Sequence, residues 1–171
     1  RPDACNAAFE RWKASKGLTA ELTLRRLVLA VRAGKLGLAK YLRRTLPVKY
    51  QRVADTWLSL RGSPESITRI APAAPTNRGM AGYAMRRMAA ADSRKAAAFW
   101  RAERVRREYP RAEQLEADQK IGLYLATDHD PLAPVWLADI KEMPGACNSS
   151  CEKVREWRVS SALRTEDWQR V

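Results

Sequence analysis

Apolar residues along this chain recur at intervals of three and four, the signature of helices with one buried face. After Thr19, a helix-capping residue type, Leu24, Leu27, Val28 and Val31 share one helical face, and Gly34 closes the run. Leu38, Leu42 and Leu46 stripe a second helix stopped by Pro47, and Val53, Trp57 and Leu60 a third ending at Gly62. Pro64 starts a short fourth helix, and "APAAP" (71–75) is the clearest break. Met80, Ala84 and Met88 predict a fifth helix, and Ser93 to Tyr109 a sixth stopped by Pro110. Ala117, Ile121, Tyr124 and Leu125 mark a seventh; Leu132, Val135, Trp136 and Ile140 mark an eighth before Pro144. A ninth runs from Glu152 to Leu163. Strand-like alternation and Asn-Gly hairpin signals are missing, so the pattern predicts an all-α chain.

The helices follow a repeated grammar. In "AVRAGKLGLAKYLRRTLP" (30–47), "LSLRGSPESITRIAP" (58–72), "MAAADSRKAAAFWRAERVRREYP" (88–110), "LATDHDPLAPVWLADIKEMP" (125–144) and "SALRTEDWQRV" (161–171), a helix ends in a tight turn bearing Gly or Asp, a second begins within a few residues, and Pro closes it. The turns recur at roughly 28 to 38 residue intervals, inside the range of helix-pair solenoids. One such pair cannot bury its own apolar face, so pairs must stack. The expectation is an α/α superhelical solenoid of irregular helix-turn-helix repeats, spanning 1–171 as one segment. The chain opens at "RPDAC" and stops at "DWQRV" without the polar capping repeats a solenoid needs, and reads as a piece cut from a longer protein.

Charge narrows the partners. Among 171 residues the net charge is +13, which suits polyanions, anionic surfaces or a carboxylate-bearing polymer. The longest apolar run is "LVLAV" (27–31), far short of a membrane span of roughly 18 residues. Three Cys and one His do not supply a closed metal site, and no phosphate-cradling Gly-rich loop or Gly-x-Ser-x-Gly elbow occurs, so no cofactor is expected. Acidic residues are mixed in throughout and no recognition-helix motif appears, which argues against nucleic acid. Cys147 and Cys151 in "CNSSC" have a spacing open to a short-loop disulfide or to two reduced thiols; Cys5 has no evident partner.

Two stretches carry a family likeness. "DACNAAFERWKASKGLTAELTLRRLVLAVRAGKLGLAKYLRRTLPVKYQRVADTWLSL" (3–60) resembles the α-superhelical, U-shaped domain of soluble lytic murein transglycosylases. The shared phrase is a Cys before a Trp12-bearing helix, then Ala33-Gly34, Gly37-Leu38, and Leu46-Pro47 leading to Tyr50. "VREWRVSSALRTEDWQRV" (154–171) resembles a later repeat of that domain, whereas 64–150 agrees only in helical grammar and length. The resemblance implies a periplasmic setting and a non-catalytic scaffold in a peptidoglycan-cleaving lyase that leaves 1,6-anhydro-muramic ends. In such an enzyme the scaffold, with a linker domain, rings a separate catalytic domain, and the implied partners are those two domains and peptidoglycan. A periplasmic address fits the Cys147–Cys151 disulfide, and Cys5 would then pair with a Cys of a preceding repeat.

The family's catalytic Glu lies in Glu-Ser followed closely by Gly-Leu-Met-Gln. Here Glu65-Ser66 continues as "ITRIAPAAP", so the segment is read as carrying no catalytic residue, with Glu65 favouring a helix N-terminus. His129, in "TDHDP", reads as a turn residue. Trp57 and Trp136 lie on apolar stripes and read as core, while Trp100 and Trp168 could be core or sugar-stacking. Arg25-Arg26, Arg43-Arg44, Arg86-Arg87 and Arg94-Lys95 recur along the helices, and Arg101, Arg104, Arg106, Arg107 and Arg111 form the densest basic cluster. They read either as solvated outer faces or as a lining for the anionic stems of murein, the candidate polyanion or glycan site. A free-standing helical-repeat module that binds another protein is the alternative function.

Overall fold

A computed structural model describes residues 19–141 and 149–164. They contain eight α-helices, α1 (Ala20–Arg32), α2 (Leu36–Thr45), α3 (Val48–Ser59), α4 (Met80–Ala89), α5 (Ser93–Arg106), α6 (Arg111–Thr127), α7 (Ala133–Ala138) and α8 (Ser149–Arg164), with two 3₁₀ turns at Pro64–Arg69 and Pro75–Asn77. No strand occurs among the described residues, so the all-α expectation holds. The chain divides after Ser59 into two compact units.

In the first unit, the Thr19 side chain accepts from the Leu22 amide at 3.2 Å and caps α1 as its sequence position predicts. Leu24, Leu27 and Val31 form the buried stripe. Each such side chain, fully withdrawn from water, contributes about 1.5–3 kcal/mol before the entropy of ordering it. Helix α1 then ends in a Schellman turn. Lys35 donates to the Ala30 carbonyl (2.8 Å) and Gly34 to that of Val31 (3.0 Å), with Gly34 left-handed at φ 74°. At the end of α2, Leu46 is extended, as the residue before Pro47 must be. A bidentate Arg43–Asp55 pair, both bonds 2.8 Å, joins α2 to α3 at the surface, and the fully buried Trp57 of α3 lies under the Arg32 guanidinium, 5.5 Å from its ring centroid.

The second unit is built around α4, where eight of ten residues are buried. Helices α5 and α6 pack on it, and α7 and α8 pack in turn on α6. The α6–α7 approach is close because residue 122 is glycine: a Cβ there would sit 2.8 Å from Leu137 Cδ2 and 3.1 Å from Trp136 Cδ1. Helix α5 opens with Asp92, whose side chain accepts from the Lys95 amide at 2.8 Å.

Some boundaries differ from the sequence reading. The short fourth helix is a 3₁₀ turn, and α5 ends at Arg106, three residues before Tyr109. Arg107 leaves the helix with an extended backbone (φ −139°, ψ 135°), and its guanidinium binds the 3₁₀ turn. Helix α7 is only six residues long, so the stripe expected there is redistributed: Val135 is exposed while Leu137 is fully buried. The turn between α6 and α7 repeats the Schellman geometry of α1. Asp130 donates to Leu125 O (2.9 Å) and His129 to Ala126 O (3.1 Å), but the left-handed residue is His129 (φ 56°). The neighbouring Asp130 accepts from the Leu132 amide at 2.8 Å and pairs with Arg94 of α5.

Candidate functional site

The five arginines of the basic cluster have different tasks. Arg107 is half-buried and structural. Its Nη1 donates to the carbonyls of Ile67 (3.2 Å) and Thr68 (2.6 Å) and to Glu103 (3.4 Å), and its Nη2 to the carbonyl of Ile70 (2.5 Å). These contacts fasten the 3₁₀ turn to α5. The buried Glu103 also accepts from the Tyr109 hydroxyl at 2.9 Å. Burial, reinforced by that bond to a carboxylate, pushes the Tyr109 phenol far above its ordinary range.

Arg101 and Arg104, one turn apart on α5, converge on Trp136 of α7. Their guanidinium carbons lie 5.0 and 5.9 Å from the indole centroid. Arg104 also reaches Asp118 of α6 at 3.3 and 3.4 Å. Asp118 takes a third bond from Trp100 Nε1 at 2.9 Å, while its backbone carbonyl accepts from Trp136 Nε1 at 3.0 Å. One residue of α6 therefore holds both indoles. Burial raises the Asp118 carboxyl above the usual carboxylate range; Arg104 and Trp100 oppose that shift, and Asp139 adds to it. Arg106 is exposed at the end of α5, and Arg111 is exposed apart from a long 3.5 Å contact to the Lys141 carbonyl. The cluster thus divides into a bound group (Arg104, Arg107), a stacked one (Arg101) and two solvent-facing residues (Arg106, Arg111).

The other basic pairs are partly engaged as well. Arg43 holds Asp55, Arg87 donates to the Arg61 carbonyl at 3.3 Å, Arg94 pairs with Asp130, and Arg86 lies 5.5 Å over Tyr83. Glu65 stands exposed in the first turn of the 3₁₀ segment, and Ser66 Oγ donates to the Ser63 carbonyl. Near the start of α8, Cys151 is buried and its sulfur accepts from Gln119 Nε2 at 3.4 Å. Cys147, Cys5 and Trp168 lie outside the described residues. Trp100, open between core and sugar contact in the sequence, is fully buried. Among the described residues no cluster of His, Cys, Asp and Glu suits a metal ion, and no helix is long and apolar enough to cross a membrane.

The sequence reading missed Glu113, the carboxylate that starts the central helix. It is buried on α6 and accepts from the amides of Gly79 (2.5 Å) and Ala81 (3.4 Å) at the N-terminus of α4. Its partners lie 34 and 32 residues away, so no local capping signal could reveal it.

No protein-family model matches the chain. Over 99 residues, 56% of its length, it is 32% identical to the soluble lytic murein transglycosylase of Escherichia coli (strain K12), of which the match spans 15%. Over 67 residues it is 33% identical to the soluble lytic murein transglycosylase of Salmonella typhimurium, covering 39% of this chain and 10% of that protein. The fold matches the crystal structure of the 70 kDa soluble lytic transglycosylase SLT70 from E. coli with a TM-score of 0.58 at 22% identity, over 96% of this chain and 24% of that one. A complex of the 70 kDa soluble lytic transglycosylase with bulgecin A matches with a TM-score of 0.56 at 19% identity, over 99% of this chain and 33% of that one.

Proposed function

We propose, for a chain that is a helical segment like that of the soluble lytic murein transglycosylases, that it is a non-catalytic scaffold of a periplasmic enzyme of this kind. The observation that supports this most is the 32% identity over 99 residues together with a shared fold over 96% of the chain. In this reading the segment spans 1–171, contains no catalytic domain, and helps form the ring around one in the parent protein. The exposed guanidiniums of Arg101, Arg106 and Arg111 supply weak, screened contacts that act together along a murein strand. Periplasmic placement also favours a Cys147–Cys151 bridge, in which Cys151 would serve from its buried place on α8.

The test compares the product of the full reading frame with residues 1–171 alone, each incubated with purified murein. The full product should release 1,6-anhydro-muropeptides and the segment none. Anhydro product from the segment would overturn the non-catalytic assignment. A full-length product that releases none would overturn the transglycosylase reading and favour a helical-repeat module that binds protein.

A further inference from the structure

The crevice where α5, α6 and α7 meet is lined by Arg101, Arg104, Asp118, Trp136, Asp139 and Ile140 and encloses about 60 Å³. One water needs about 10–15 Å³ of such space, so a small polar head group can enter. Its charged lining is balanced, two guanidiniums facing two carboxylates. Arg104 and Asp118 satisfy each other. Arg101 and Asp139 are exposed, and among the described residues neither side chain has an ion-pair partner. The crevice therefore offers one spare positive and one spare negative group.

Arg101 is also preorganised. Its guanidinium lies on the Trp136 ring, which is itself held by the bond from its Nε1 to the Asp118 carbonyl. A guanidinium held over an aromatic ring by its charge still has N–H donors to offer a carboxylate. We propose that this crevice binds an α-amino-acid head group, with the carboxylate on the Arg101 edge and the ammonium beside Asp139. Asp118 stands behind as a second negative neighbour. A simple polyanion would leave Asp139 repelled, and a simple cation would leave Arg101 unused. Only a ligand carrying both charges satisfies both groups. An ordinary peptide terminus carries only one of these charges; a residue whose side chain ends in its own amino and carboxyl groups carries both. On a murein peptide such a residue is the ligand this crevice would take, so the proposal refines the murein contact offered above and rests on it for its biological ligand.

The probe is alanine, titrated into the ¹⁵N-labelled chain while the Trp136 indole N–H and Arg101 Nε–H resonances are followed. Alaninamide and N-acetylalanine, each lacking one charge, serve as controls. Saturable shifts with alanine are expected, weakened about tenfold or more (1.4 kcal/mol per decade) in either control and in Arg101→Ala and Asp139→Asn. Arg101→Lys should bind in between, since it keeps the charge but not the fork. Equal response to alanine and both controls, or no saturation by alanine, would overturn the proposal. A chain that sediments with murein yet ignores alanine sinks the crevice alone; one that binds alanine but not murein sinks the murein contact alone.

Discussion

Replacing Arg107 by alanine separates structure from ligand binding within the basic cluster. The guanidinium donates to three main-chain carbonyls, those of Ile67 and Thr68 in the 3₁₀ turn and of Ile70 just after it, and Ile67 and Ile70 are buried. Arg107 is itself about a quarter exposed (26%), so water recovers part of what is lost. At about 1 kcal/mol for each carbonyl left without its donor, Arg107→Ala should cost about 2–3 kcal/mol. For a chain of this size that is a fall in Tm of about 5–10 °C. Arg107→Lys keeps the charge, but one ammonium cannot span three carbonyls, and about half of the loss should remain. Arg106→Ala, one residue earlier and exposed, should stay within about 0.5 kcal/mol of wild type. Urea unfolding followed by far-UV circular dichroism measures all three. If Arg107→Ala matched Arg106→Ala, the brace would be refuted and Arg107 would return to the ligand-facing set.

Three further outcomes follow from the geometry. Glu113→Ala removes the acceptor for the Gly79 and Ala81 amides at the start of α4 and should cost about 1–3 kcal/mol, with Glu113→Gln losing less; equal losses in a thermal melt would count against the cap. His129→Gly should exceed His129→Ala in stability by about 1 kcal/mol, because both lose the contact to Arg164 at 2.5 Å but only alanine keeps a side chain in the left-handed region. Equal denaturation midpoints would refute that. The Asp118 carboxyl titrates above its unfolded value near 3.8, so the folded state takes up its proton first and gains stability as pH falls through the raised pKa toward 3.8. Wild type should therefore gain stability relative to Asp118→Asn over that window, and parallel pH profiles of Tm would contradict the burial of this group.

Where the fold was legible in the sequence, the signal was local. Thr19 before an apolar stripe, Gly34 after it and Leu46-Pro47 each act within four residues of where they are written. Boundaries moved where a distant partner competes with the helix. Helix α5 stops early because Arg107 turns to carbonyls about 40 residues back. The turn in "TDHDP" was legible as a turn, but not that His129 takes the left-handed position and leaves Asp130 to meet the Leu132 amide and Arg94. The candidate site shows the same division. An arginine-rich stretch can be read from composition; which arginine stacks on Trp136, which pairs with Asp118 and which braces a 3₁₀ turn depends on residues 14 to 40 positions away. Trp100 stayed ambiguous for the same reason: its bond to Asp118 crosses from α5 to α6.

The most direct test of the account is cosedimentation of the chain with isolated murein sacculi at low and high salt, beside the Arg101→Ala/Arg106→Ala/Arg111→Ala variant. Retention of the wild-type chain should weaken markedly as salt screens the guanidiniums, and the variant should be retained more weakly at low salt. Retention unchanged by salt and by the three substitutions would contradict an electrostatic murein contact on this surface.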